Sequence, residues 1–262
     1  MRFHIRRRGT VCRDDDSYED LTMALRLLKH AFIEDYAEPR WFNTPPELKK
    51  TYDIVIIGAG GHGLACAHYL PRDHGLHNVA VLDASYIGGG NTGRNTTIIR
   101  SNYLTPEGIK FYADSMTLFT ELSDDLETNI FYSERGHFTL AHNESTLRTS
   151  RWRAEMNKFY AVDSEVVDPD EILRTCPQLR IDCGGNHPIE GALFHPPGAV
   201  ARHDAVAWGY AKQASKRGVE IHQHTPVTDI LVENGQVTGV VTPRGTISTR
   251  KVMCAVAGHT PE

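Results

Sequence analysis

The chain lacks any apolar run long enough to span a bilayer, any C-x-x-C pair and any excess of basic charge. The first absence leaves no transmembrane helix to read. A net charge of −5 argues against nucleic acid as the main partner. Its five cysteines (Cys12, Cys66, Cys176, Cys183, Cys254) are few, odd in number and widely spaced. They make no disulfide framework or zinc motif, and read as reduced thiols of a cytoplasmic protein. Arginines cluster at Arg6, Arg7 and Arg8 with no apolar run behind them, so this stretch does not read as a secretory or twin-arginine signal. The Asn95-Thr96-Thr97 and Asn143-Glu144-Ser145 glycosylation patterns then carry no meaning. Repeats and low-complexity tracts are also missing.

What is present is ordinary globular composition, 40% hydrophobic and 23% charged over 262 residues, enough to bury a sizeable core. Leu21, Leu25, Leu28 and Phe32 form one stripe of an amphipathic helix over 21–36, followed by a Pro-rich linker. Met23 is a second candidate start. Thr105-Pro106-Glu107 predicts a capped helix to about Ser123. A strand pair is expected over 130–141 around Arg135-Gly136. A helix is expected over 145–160, a short one after Asp168-Pro169, and another over 201–217 ending at Gly218. Strands follow at 219–222, 227–232, 237–242, 245–248 and 251–256, with hairpin turns at Asn234-Gly235 and Arg244-Gly245.

The densest signal is TYDIVIIGAGGHGLACAHYL and its continuation to Asp83. A strand over 52–57 meets Gly58, Gly60 and Gly63, which fill G-x-G-x-x-G. A helix follows with Leu64, Ala65, Ala67 and Leu70 on its packing side, then a strand over 78–82 ending in Asp83. In that pattern the first glycine turns the chain, the second admits a pyrophosphate, and the third lets helix and strand touch. The helix start offers amide donors to the phosphates, and the acid meets ribose hydroxyls. NAD and FAD share this unit, so it does not choose between them. The fold class is α/β: a Rossmann-like dinucleotide domain whose last strands return to the sheet after an excursion. Such an excursion is how a second, substrate-covering domain is inserted.

Three further segments carry a resemblance: IGGGNTGRNTTIIRSNYL (87–104), PPGAVARHDAVAWGYA (196–211) and VMCAVAGHT (252–260). In this order behind the GAGGHG turn, from about Leu25 to the last residue, the chain resembles the beta subunits of heterotetrameric sarcosine oxidases. These belong to the amine-oxidising FAD proteins of the D-amino-acid-oxidase type. The resemblance implies non-covalent FAD held by Gly58, Gly60, Gly61, Gly63 and Asp83, and by Gly90, Asn91, Thr92, Arg94, Asn95 and Thr96 along the flavin. Val227, Ala257 and Gly258 complete that set. It implies Arg100 as the group that holds the substrate carboxylate, since a guanidinium fork matches a carboxylate; Arg94 is the competitor. It implies covalent FMN on His203, with Arg202 facing the FMN. From the residues alone, His203-Asp204 also reads as a plain helix start.

The implied reaction is oxidation of sarcosine with electrons passing through FMN to oxygen. Its carbon goes to tetrahydrofolate, or ends as formaldehyde, in a partner alpha subunit of a hetero-oligomer with smaller subunits. The expected domains are an extension (1–50), a first FAD part (51–125), the start of a substrate or cap domain (126–195) and a second FAD part with the FMN segment (196–262). Members of the resembled family continue well past Glu262, so the inserted α+β substrate domain is expected to be incomplete and turnover by this chain small or nil. Alternatives are an L-proline or dimethylglycine dehydrogenase-type subunit, a non-catalytic FAD-binding fragment and, third, an NAD-dependent dehydrogenase. His62 reads as a helix-start residue, His222 and His224 as surface histidines rather than a metal pair, and Trp152 and Trp208 as core residues.

Overall fold

A computed structural model describes residue 45 and residues 47–259, apart from 183, 184 and 186. The helix expected over 21–36, the linker before Pro45, and Cys12 and Cys183 lie outside the described residues. β1 (Ile54–Ile57) alternates Ile54 and Ile56 to one side with Val55 to the other, and all three are buried. A strand that hides both faces needs a layer on each. α1 (Gly61–His74) supplies one layer with Leu64 and Ala67, while Ala65 and Leu70 pack half-buried beside them. It stops at Gly75, whose left-handed backbone (φ 65°) closes the helix. β2 (Val79–Leu82) then pairs parallel with β1.

The chain next runs through β3 (Ile98–Ile99), α2 (Pro106–Asp125), β4 (Ser133–Glu134), β5 (His137–Ala141), α3 (Glu144–Phe159), β6 (Glu165–Val167), α4 (Pro169–Thr175), β7 (Gly191–His195) and β8 (Ala199–Val200). Helix starts follow local chemistry. Thr105, Asn143 and Asp168 each accept a hydrogen bond from a first-turn amide, the capping geometry those residue types favour. The expected strand pair over 130–141 is corrected. β4 pairs with β8, and β5 pairs with β7 in another sheet. The Arg135 and Gly136 amides both donate to the Gly198 carbonyl instead of closing a hairpin. β3, β6, β7 and β8 had no clear sequence signal; two of them are two residues long.

α5 (His203–Lys216) packs along α1 through Ala207, Ala211 and Ala214, and Gly218 (φ 93°) follows it. The small side chains let the two helices lie close. β9 (Glu220–His222) returns to β2 and β13 (Val252–Cys254) to β1, both parallel, giving the order β13-β1-β2-β9. Between them β10 (Asp229–Glu233), β11 (Gln236–Thr242) and β12 (Gly245–Ser248) form a separate antiparallel sheet. Val240 and Ile247 of that sheet cover Val55, Ala80 and Leu82 on the face away from the helices. Each buried Val, Leu or Ile among them contributes about 1.5–3 kcal/mol. Asn234 and Gly235 have φ 52° and 76° in the expected hairpin turn. The next turn is shifted: Thr242 pairs with Gly245, so Pro243-Arg244 forms it and Gly245 opens β12.

Two further expectations are corrected. His222 is fully buried, not on the surface, whereas His224 is exposed. The His222 ring is in contact with Glu220 (3.3 Å) and Arg244 (3.3 Å), and Glu220 also accepts from Tyr52 Oη and pairs with Lys49, both at 2.5 Å. Trp152 is 53% exposed; only Trp208 packs against the core, half-buried. Among the described residues, Cys66, Cys176 and Cys254 are free thiols. No described helix is long and apolar enough to cross a membrane, and no described His/Cys/Asp/Glu group has the makings of a metal site.

Candidate functional site

The glycine turn sits where β1 hands the chain to α1. Gly58 has φ 107°, and a Cβ there would stand 2.5 Å from the Ala255 carbonyl oxygen. A Cβ on Gly63 would stand 2.0 Å from the Gly58 carbonyl oxygen, so helix and strand touch through backbone alone. α1 opens at Gly60 with no side-chain cap and no acid in its first turn. That leaves a positive helix end and unclaimed donors, the arrangement a phosphate needs. Gly61 N–H donates to Thr92 Oγ1 at 2.9 Å, and a Cβ on Gly60 would meet the same oxygen at 3.2 Å. The turn and the Gly/Asn-rich segment are therefore built against each other, and together they fit a dinucleotide pyrophosphate.

Asp83 ends β2 beside this turn. Its Oδ2 accepts the Ala59 N–H at 2.6 Å; its Oδ1 accepts the Ser85 N–H at 2.7 Å and the Ser85 hydroxyl at 3.0 Å. The carboxylate thus ties the turn to the end of β2, and Oδ2 retains a lone pair for a ribose hydroxyl. Val227 lies past β9 and packs, half-buried, on the side of the β10–β12 sheet.

Residues 87–97 fold as a compact turn, not a free loop. Gly88 N–H donates to Ala59 O at 2.9 Å, Gly93 N–H to Gly88 O at 2.8 Å, and Ile87 N–H to Gln223 Oε1 at 2.8 Å. Asn91–Arg94 form a 3-10 turn. Asn95 Nδ2 donates to Thr92 O at 2.6 Å, and Asn95 Oδ1 accepts from Thr97 N–H at 2.7 Å. Gly90, Asn91, Arg94, Asn95 and Thr96 are exposed along this turn. Ala257 and Gly258 lie in an exposed 3-10 turn just past β13.

The chain runs from this turn through β3 into Arg100. The Arg100 guanidinium lies 4.4 Å over the Tyr103 ring and donates from Nη1 to Asn102 Oδ1 at 2.9 Å. Tyr103 is stacked on Tyr112 at 3.9 Å. Sequence reasoning missed the company Arg100 keeps. Arg153, from α3, donates to the Asn102 carbonyl. His195 donates from Nδ1 to Asp163 O at 2.6 Å and accepts from Ser101 N–H at Nε2, 3.3 Å, which defines a neutral tautomer. His137, paired with His195 across β5 and β7, is the fourth member. These residues are far apart in sequence and share no motif, so only the packing of α3 and the register of β5 against β7 could have revealed them.

Burial pushes the His137 pKa down to about 4, helped by the positive charges of Arg100 and Arg153. Burial likewise lowers His195, His68 and His222 below the ordinary 6.5. A histidine kept neutral in the fold takes up protons more readily when unfolded, so stability is full above pH 6.5 and falls as pH drops toward the folded values. Denaturant midpoints are expected to be flat from pH 7 to 8 and to decline steadily from about pH 6.5 to 4. A midpoint constant down to pH 4 would contradict that.

β8 pairs antiparallel with β3, and Ala201 N–H donates to Thr97 O at 3.1 Å. This brings His203, the first residue of α5, near the turn, where Ala207 of α5 lies 3.6 Å from a Cβ built on Gly88. His203 is half-buried and its Nδ1 is buried without a partner. Arg202 is exposed, paired with Asp204 and lying 5.5 Å over the Phe131 ring. His62 is exposed on the first turn of α1.

Known proteins match this arrangement. The family model described as DAO, FAD dependent oxidoreductase, matches residues 53–261. Over 227 residues the chain is 45% identical to sarcosine oxidase subunit beta of Arthrobacter sp, covering 87% of this chain and 56% of that protein. Over 214 residues it is 45% identical to sarcosine oxidase subunit beta of Rhodobacter capsulatus, covering 82% and 51%. The structure of L-proline dehydrogenase from P. horikoshii superposes with a TM-score of 0.72 at 25% identity, covering 80% of this chain and 54% of that one. The chain spans about half the length of each of these relatives. With the glycine turn, the acid at the end of β2 and the returning strands β9 and β13 in one parallel sheet, the chain belongs to the FAD dependent oxidoreductase family.

Proposed function

We propose that this chain carries the FAD site and the carboxylate-recognition side of an amine oxidase acting on sarcosine. The observation that carries it is Arg100. The guanidinium stands two strand residues past the flavin-type turn, held by Asn102 and Tyr103, with no carboxylate pairing with it among the described residues. A bidentate guanidinium orients an amino acid by its carboxylate, so the N-methyl end points away from Arg100. Positioning of this kind supplies much of the rate of such reactions. When bound, the flavins supply the redox chemistry, by which sarcosine loses two electrons and two protons to become the imine and oxygen gains them as hydrogen peroxide. The turn residues Gly58–Gly63 and Asn91–Thr96 hold the FAD without a covalent link, with Val227, Ala257 and Gly258 beside it. His137 and His195, held neutral by burial, stand beside Arg100 and Arg153 without adding charge to the carboxylate site.

His203 is the attachment point of a second flavin, FMN, in this reading, with Arg202 toward it. Its half-buried ring and unpartnered Nδ1 suit a histidine whose environment is completed by another molecule. An alpha subunit then covers the FMN, smaller subunits complete the hetero-oligomer, and tetrahydrofolate takes the imine carbon, which otherwise leaves as formaldehyde. The assembly is placed in the cytoplasm. Residues 51–125 and 196–262 serve the flavins, and 126–195 begin the cap over the substrate. The likeness to L-proline dehydrogenase keeps a second substrate in play, because L-proline is also a secondary amine with a carboxylate. Competition between sarcosine, dimethylglycine and L-proline separates them.

The test is a visible spectrum of the chain co-expressed with an alpha subunit, before and after acid precipitation. Yellow retained in the pellet is expected for wild type and lost in His203→Ala. Yellow wholly released to the supernatant leaves FAD and removes covalent FMN. Folded protein without any flavin removes the whole proposal.

A further inference from the structure

Arg153 reaches from α3 to the loop that carries Arg100. Its Nε donates to the Asn102 carbonyl at 2.6 Å, and its Nη2 donates to the same oxygen. Asn102 is fully buried, and its Oδ1 accepts from Arg100 Nη1. One guanidinium therefore grips the main chain of the residue whose side chain grips the other. Among the described residues no carboxylate pairs with Arg100 or with Arg153. Asn102 Nδ2 and His137 Nδ1 are buried with no partner. Burial and the nearby Arg100 charge push the Arg153 pKa down from its ordinary value. Two unneutralised cations beside orphaned buried polar atoms are unfavourable by themselves. A bound anion supplies the missing charge.

The Tyr103 ring, itself stacked on Tyr112 with an interplanar angle of 15°, lies under the Arg100 guanidinium. With that plane set, a tether on one nitrogen fixes the direction of the remaining fork. We propose that Arg153 is the positioning residue of the carboxylate site. By clamping the Asn102 main chain it fixes the Arg100 fork, and its own charge deepens the field that attracts the anion. This inference rests on Arg100 as the carboxylate-binding group.

Two variants separate the tether from the charge. Arg153→Lys keeps the charge and loses the two-pronged grip; Arg153→Gln loses both. Acetate and sarcosine are titrated calorimetrically into the purified full chain, and the His137 ring is titrated by NMR. Arg153→Lys is expected to weaken binding of both probes about tenfold and to leave the His137 titration in place. Arg153→Gln is expected to weaken binding roughly a hundredfold, within the range for groups that orient a binding residue, and to raise the His137 pKa. Full affinity in both variants, with Arg100→Met still losing it, overturns the positioning role and spares the Arg100 reading. Affinity that falls only in step with the folded fraction, followed by circular dichroism, also overturns it. Full affinity in Arg100→Met, or none in wild type, removes the Arg100 reading and this inference together.

Discussion

Alanine at Gly63 is expected to lower the melting temperature by about 10 °C and to strip the protein of flavin. The added Cβ would stand 2.0 Å from the Gly58 carbonyl oxygen and 3.3 Å from Ile56 Cγ2. Backbone does not yield as a flexible side chain does, so α1 must move off β1. Forced overpacking of this kind costs about 3 kcal/mol, and a domain of this size loses about 2–4 °C per kcal/mol. The same movement shifts the helix N-terminus away from the Thr92 hydroxyl that joins the two halves of the site. Gly75→Ala is the matched control. Its Cβ meets nothing within 4 Å, and only the left-handed backbone at φ 65° opposes it, by about 1 kcal/mol. Melting curves and the ratio of flavin to protein absorbance check both. A Gly63→Ala protein with wild-type melting and full flavin would mean that helix and strand are not in contact there.

Methionine at Arg100 is expected to weaken sarcosine and acetate binding a hundredfold or more, with flavin content and melting unchanged. Methionine keeps an unbranched stem over Tyr103 and removes only the charge and the fork. Removing one side of a hydrogen-bonded charge pair costs about 2–5 kcal/mol, and about 2.7 kcal/mol is a hundredfold. Arg94→Met is expected to leave the same affinities within about twofold, because an exposed charge contributes little and Arg94 is exposed on the 3-10 turn. The reverse pattern, with Arg94 essential and Arg100 dispensable, would transfer the carboxylate role to Arg94.

Sequence reasoning reached the parts of this molecule whose chemistry is local. Gly58, Gly60, Gly63 and Asp83 announce themselves because one βαβ unit sets their spacing, and α2 because Thr105-Pro106 starts a helix wherever it stands. The rest depends on partners distant in the chain. His222 reads as a surface residue until β9 is known to enter the sheet, with Glu220 and Arg244 beside its ring. Arg135-Gly136 has the composition of a hairpin turn, yet the register of β5 against β7 places the Phe194 ring 2.5 Å from a Cβ at Gly136. The strands flanking it belong to different sheets, because β4 pairs with β8 and β5 with β7. Around Arg100, the family resemblance singled out that residue, with Arg94 as its competitor; nothing in the sequence pointed to Arg153, His137 or His195. Their meeting is set by how α3 packs and how β5 and β7 pair, which no short motif records.

β13 lies against β1, with Val55 opposite Val252, and Ala255 O sits against Gly58. A ribosome synthesises β1 early and β13 only after nearly all the other described residues have emerged. Until then the glycine turn has a neighbour on the β2 side alone, and the floor beneath Gly58 is absent. Pairing between such distant segments is slow, because the chain must close a long loop before the contact stabilises it. The cofactor pocket is therefore complete only once β13 has joined β1, and flavin loading is expected to await that strand.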